Sequence, residues 1–106
     1  MTNQSQRPPT AFVFQDEYGG YGVSPPELHL DLQGGRQIRF RNLTNVEVTI
    51  DLSGPLNANP PRLPLKGGDQ ATSTVDTSTA GAYPYRVLAG GFEARGRSGP
   101  KVIVDP

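Results

Sequence analysis

The chain has 106 residues, enough for one domain, and its 10 basic and 10 acidic residues balance to a formal charge of zero, so no overall field draws it toward nucleic acid or an anionic membrane. It holds no Cys, which removes disulfides, zinc-thiolate sites and thiol catalysis together. A content of 13 Gly and 11 Pro at 34% hydrophobic residues excludes a mainly helical protein and suits short strands joined by turns.

Residues 1–10, MTNQSQRPPT, are polar with a Pro-Pro pair. They predict a disordered tail ahead of a single domain over 11–106. The stretch has no apolar run, so it reads as neither signal peptide nor membrane anchor. The expected compartment is cytoplasmic if Met1 is the native start, and extracytoplasmic if a signal peptide has been trimmed. AFVF (11–14) predicts the first strand, and QDEYGGYGVSPP a loop. ELHLDL (27–32) alternates, placing Leu28, Leu30 and Leu32 on one face and Glu27, His29 and Asp31 on the other. QGGR turns the chain, either closing a hairpin or carrying it to another sheet. QIRFRN (37–42) sends Ile38 and Phe40 inward, and Arg39 and Arg41 outward. After the break LTN, VEVTID sends Val46, Val48 and Ile50 inward. SGPLNANPPRLPLKGG predicts a long crossing between sheets. QATSTV is a polar strand with Val75 packing. GAYPYRV alternates with Tyr83, Tyr85 and Val87 on one face, and it must be edge-like or bulged at Pro84, which has no N–H for a ladder bond. KVIV closes the chain as a central strand.

Seven or eight short strands with period-2 patterning cannot lie open, because their apolar faces would meet water. The fold expected is all-β: an antiparallel-rich, two-sheet Greek-key β-sandwich.

The order of these strands and turns resembles the cupredoxins. VSPPELHLDLQGGRQIRFRNLTNVEVTID is similar to their first half, and GAYPYRV followed by GPKVIV to their closing half, so the likeness spans roughly residues 11–105. It implies electron transfer or metal handling through copper, with ligands at particular positions. The first His of the family opens the strand that begins here at Val46, its Cys ends the Tyr-rich strand at Val87, and its second His falls near Gly90. Its axial Met falls around Glu93 to Arg97, where none occurs. A blue-copper site needs two imidazoles, a thiolate and a weak axial ligand. The one His of this chain, His29, lies in another strand, and its one Met is Met1. Two Val in place of His and Cys turn a polar pocket into packing, each buried Val contributing on the order of 1.5 kcal/mol. Either a former metal site has become core, or the sandwich is cupredoxin-shaped by convergence. No cofactor is expected on either account.

Other residues are candidates for binding. Arg95 and Arg97 lie in the 88–99 loop; folded over the strand carrying Arg39 and Arg41, that loop makes a cationic patch for phosphate, sulfate or carboxylate groups. The competing reading pairs the arginines with Glu47, Asp51 or Asp31. Tyr18 and Tyr21 in EYGGYG, and Phe92 in LAGGFEARG, stand beside glycines where a ring can meet a partner or cap the core. His29 between Glu27 and Asp31 reads as a solvated polar face rather than a zinc site or a general base. No phosphate loop or nucleophile motif occurs. The chain is therefore expected to be a non-enzymatic binding or structural module. The favoured partner is a protein, then an anionic small molecule or saccharide, with no nucleic acid and no membrane insertion. The alternatives are an electron-transfer protein completed by a partner chain's ligands, a hydrolase or lyase with a cleft at His29, and a detached domain of a larger assembly or enzyme.

Overall fold

Alternation of apolar and polar residues builds the sheets, and the computed structural model of the protein describes residues 8–34, 36–89, 92–93 and 99–106. No helix occurs among them. The first layer holds five strands: β1 (Thr10–Gln15), β2 (Tyr21–Ser24), β4 (Gln37–Asn42), β6 (Ala58–Asn59) and β8 (Gln70–Val75), in the order β2-β1-β4-β8-β6. The second layer has two parts. One has β3 (Glu27–Asp31), β12 (Lys101–Asp105) and β9 (Gly81–Pro84), in the order β3-β12-β9. The other has β11 (Phe92–Glu93), β10 (Arg86–Ala89), β5 (Val48–Asp51) and β7 (Arg62–Leu65), in the order β11-β10-β5-β7. The two parts run into each other because β9 and β10 are one strand interrupted at Tyr85. β1 pairs with β4, and β3 with β12, in parallel; the other pairings are antiparallel.

The inward residues of both layers form one core. Ala11, Val13, Ile38, Phe40 and Val75 come from the first layer; Leu28, Val48, Ile50, Leu63, Val87 and Val102 come from the second. The Phe40 and Tyr85 rings meet edge to face with centroids 5.4 Å apart, which joins the layers directly. The sandwich expected from the patterning is what these strands make, with β12 central in its group, as KVIV implied.

Several boundaries differ from the expectation. Tyr21–Ser24, read as loop, is a strand along β1. The expected crossing at 53–68 contains β6 and β7, with Leu63 and Leu65 buried. β7 tolerates Pro64 because it is an edge strand with one side free of ladder bonds. β5 starts at Val48, not Val46, because residues 44–46 bend. QGGR closes no hairpin: β3 and β4 lie in different layers. Pro84 ends β9, an edge strand that needs no donor from it on its free side, and the Tyr85 N–H that follows donates to the Pro100 carbonyl at 3.1 Å. Of the predicted tail, residues 1–7 lie outside the described residues.

Candidate functional site

The register places several loops at one end of the sandwich. β1 and β4 run in parallel toward it, and β5 and β8 start from it. That end therefore collects the 16–20 turn, the 43–47 bend, the 66–69 turn and the hairpin between β10 and β11, in which Ala89 pairs with Phe92. Tyr18 and Tyr21 are at this end with Phe92, as loops of the resembled fold would be. Gly90, Arg95 and Arg97 lie outside the described residues.

Local hydrogen bonds shape this end. The Asp16 carboxylate accepts the Tyr18 and Gly20 N–H groups, both at 2.9 Å. This turn holds Tyr18 out, with 89% of its surface exposed. Tyr21 is instead half-buried against the core, so of the two tyrosines only Tyr18 is presented. Leu43 (53% exposed) and Phe14 (36%) are the other large exposed hydrophobics among the described residues. They are neighbours: Val13 is opposite Asn42, and the Leu43 N–H donates to the Val13 carbonyl at 2.8 Å. Phe14 lies across Gly22, where a Cβ would come within 2.6 Å of its ring.

Beneath this surface a fully buried Asn42 organises the bend. Its Nδ2 donates to the Val46 carbonyl at 2.7 Å and the Leu65 carbonyl at 3.0 Å. Its Oδ1 accepts the Thr44 N–H at 2.9 Å and the Thr44 hydroxyl at 2.7 Å. Asn42 ends β4, and its side chain ties the bend to β7. Gly67 seals the contact, because a Cβ there would sit 2.8 Å from the Thr44 carbonyl oxygen.

Two of the positions that the resemblance assigned to copper ligands, Val46 and Val87, carry no donor atom in their side chains. Val87 is fully buried and faces Ile50 across the β5–β10 ladder. Val46 is half-buried in the bend before β5, four residues from Ile50 in the chain, and packs on the core. Two hydrocarbon side chains supply no ligand, and no group of three or more His, Cys, Asp or Glu that could hold a metal occurs among the described residues. The residues present at Val46 and Val87 do not fit blue copper.

The arginines divide. Arg36 donates to the Thr77 and Leu32 carbonyls at 2.7 and 3.0 Å. Arg62 pairs with Asp51 at 3.8 Å, and Arg86 with Glu93 at 3.4 Å. Asp51 is held below the usual carboxylate range chiefly by the Ser53 hydroxyl and then by its N–H. Arg39 and Arg41 take neither Glu47, Asp51 nor Asp31. They lie on the outer face of the first layer, whereas β10 and β11 belong to the second. The bland pairing expected for them is therefore absent.

His29 stands on the outer face of β3. Its Nδ1 lies 3.1 Å from Asp105 of β12 and its Nε2 3.4 Å from Glu27, which also pairs with Lys101 at 3.8 Å. The Asp105 hydrogen bond, with Glu27 adding to it, raises the imidazole above its ordinary value. This is the solvated polar face that the alternation implied. Sequence reasoning passed over Phe14 and Leu43; the signal for Phe14 lay in AFVF, where alternation turns Phe12 and Phe14 away from Ala11 and Val13.

No protein-family model and no curated protein matches the chain. Among solved structures it is similar to a purple cupredoxin from Nitrosopumilus maritimus, with a TM-score of 0.56 and 17% identity over 92% of this chain and 99% of that one. It is also similar to a reduced tryptophan-to-tyrosine variant of amicyanin, with a TM-score of 0.60 and 17% identity over 96% and 86% of the chains. An oxidised proline-to-glycine variant of amicyanin aligns at 0.58 and 19%, over 92% and 82%. With the strand order and the shared core, these likenesses establish that the chain has the cupredoxin fold.

Proposed function

We propose that this chain is a non-enzymatic, copper-free binding module that meets a protein partner at the end of the sandwich carrying the 16–20 turn and the β10–β11 hairpin. The observation that carries the reading is Tyr18. A ring left 89% exposed on a turn braced by Asp16 contributes nothing to the core. The turn backbone that carries it is already ordered by these bonds and loses little further freedom on binding, and Tyr is favoured at interface centres. Phe14 and Leu43 extend the apolar surface beside it. The copper-free part rests on donor chemistry: the chain has no Cys and a single His, and that His is on the outer face of β3, paired with carboxylates.

Two measurements test the reading. Titration with Cu(II) is expected to give no intense thiolate-to-copper band in the visible; a strong band overturns the copper-free assignment. A photo-crosslinking residue at position 18 is expected to capture one defined protein partner in native extract, and one at Thr79, at the other end, is expected to capture none. Equal capture from both positions overturns the placement of the surface.

A further inference from the structure

The outer face of the first layer has an organisation that the sandwich core does not require. Along β1 the outward positions are Thr10, Phe12 and Phe14; along β4 they are Gln37, Arg39 and Arg41; along β8 they are Gln70, Thr72 and Thr74. The register sets Phe12 beside Arg41, Thr10 beside Arg39, Gln70 beside Arg41 and Thr72 beside Arg39. An aromatic row thus runs beside a guanidinium row, and a row of amide and hydroxyl groups follows.

The charge of this face is uncompensated. All ten Asp and Glu residues of the chain lie within the described residues, yet neither Arg39 nor Arg41 forms an ion pair with any of them. No outward position of β1, β4 or β8 bears a carboxylate. Three of the ten, Glu27, Asp31 and Asp105, lie instead on the outer face of the second layer. A neutral chain therefore carries a cationic and aromatic face on one side.

We propose that this face binds an extended acidic segment of a partner protein, one whose carboxylates alternate with apolar side chains. Charge complementarity supplies the acid: each guanidinium can grip a carboxylate bidentately. Spacing supplies the conformation. Arg39 and Arg41 are two residues apart on a strand, about 6.6 Å, and so are Phe12 and Phe14. An extended peptide repeats its same-side residues at that same distance, so carboxylates can follow the arginine row while the intervening apolar residues follow the phenylalanines. This surface borders the Tyr18 end at Phe14, but Phe12, Arg39 and Arg41 lie outside that end, and the proposal stands without the reading given above.

The test is NMR titration of the full chain with a short peptide of alternating Glu and Val, beside an alternating Lys-Val peptide and oligothymidylate. The Glu-Val peptide is expected to shift amides of Phe12, Phe14, Arg39, Arg41 and Thr72, and to bind less tightly as salt rises. Replacing both arginines (Arg39→Gln with Arg41→Gln) is expected to weaken it about tenfold, with the dispersed spectrum of the fold retained. The exposed single change Arg41→Glu reads the same contact if the double variant loses its fold. Absence of binding, equal binding of the Lys-Val peptide, shifts confined to the second layer, or preference for oligothymidylate overturns the proposal.

Discussion

Replacing Asn42 with Leu tests whether one buried amide holds the bend that carries the chain from the first layer to the second. The shapes are similar, so little packing volume changes, but all four hydrogen bonds of the amide vanish. The Thr44 N–H loses its acceptor, and the Val46 and Leu65 carbonyls each lose a donor in a region where Thr44 and Leu65 are buried. A buried polar group left without its partner costs about 1–3 kcal/mol. The Thr44 hydroxyl, 3.1 Å from the Val46 oxygen, can compensate one carbonyl. The expected loss is about 4 kcal/mol, a large fraction of the roughly 5–15 kcal/mol available to a domain. Urea denaturation followed by tyrosine fluorescence and far-UV circular dichroism measures it, with an unchanged slope showing that the denatured state is unaffected. Thr44→Val, which removes only the hydroxyl, is expected to cost about 1 kcal/mol. A loss under about 1 kcal/mol for Asn42→Leu would refute the reasoning, because the bend would then be held by packing alone.

Tyr85 offers the opposite sign. Its hydroxyl is buried and has no hydrogen-bond partner among the described residues, and burial pushes its ionisation well above the ordinary tyrosine value. Tyr85→Phe is expected to stabilise the protein by about 1 kcal/mol in the same urea assay, since a desolvated and unpaired hydroxyl is removed. Gly67→Ala forces a methyl to within 2.8 Å of the Thr44 carbonyl oxygen, and the backbone shift is expected to cost about 1–3 kcal/mol in thermal unfolding. For His29 the folded pKa is raised, so its contribution to stability is fully present below the unfolded value of about 6.5 and is lost as pH rises through the folded value. An NMR titration is expected to show that raised midpoint, and Asp105→Asn to move it down. A midpoint unmoved by Asp105→Asn would refute the pairing.

The alternating stretches carried most of the architecture in plain view. In ELHLDL and QIRFRN every second residue is apolar, and Leu28, Leu30, Ile38 and Phe40 are buried as that pattern requires. Tyr21–Ser24 and Arg62–Leu65 were harder to read. The first holds Gly and Ser, and the second holds Pro; such residues disfavour strands in isolation, and neighbouring strands recruit them. At the site, the glycines beside Tyr18 and Tyr21 left two readings open, a ring meeting a partner or a cap on the core, and only the structure exposes Tyr18. Tyr21, three residues on, was not separable from it until the ladder with β1 turned it toward the core. The pairing expected for Arg39 and Arg41 failed because charge balance over a whole chain says nothing about which face each charge occupies.

What the sequence by itself determined is local and chemical: which side chains can face a core, that Pro84 has no N–H to give a ladder, and that no thiolate exists to hold copper. Only the tertiary structure decided the partners: β1 alongside β4, β3 alongside β12, Asn42 reaching Leu65, and an arginine row beside an aromatic one. The reason is that alternation is encoded between neighbours along the chain. Strand order and register depend instead on contacts between residues far apart in it, and many arrangements of the same faces bury nearly the same apolar surface.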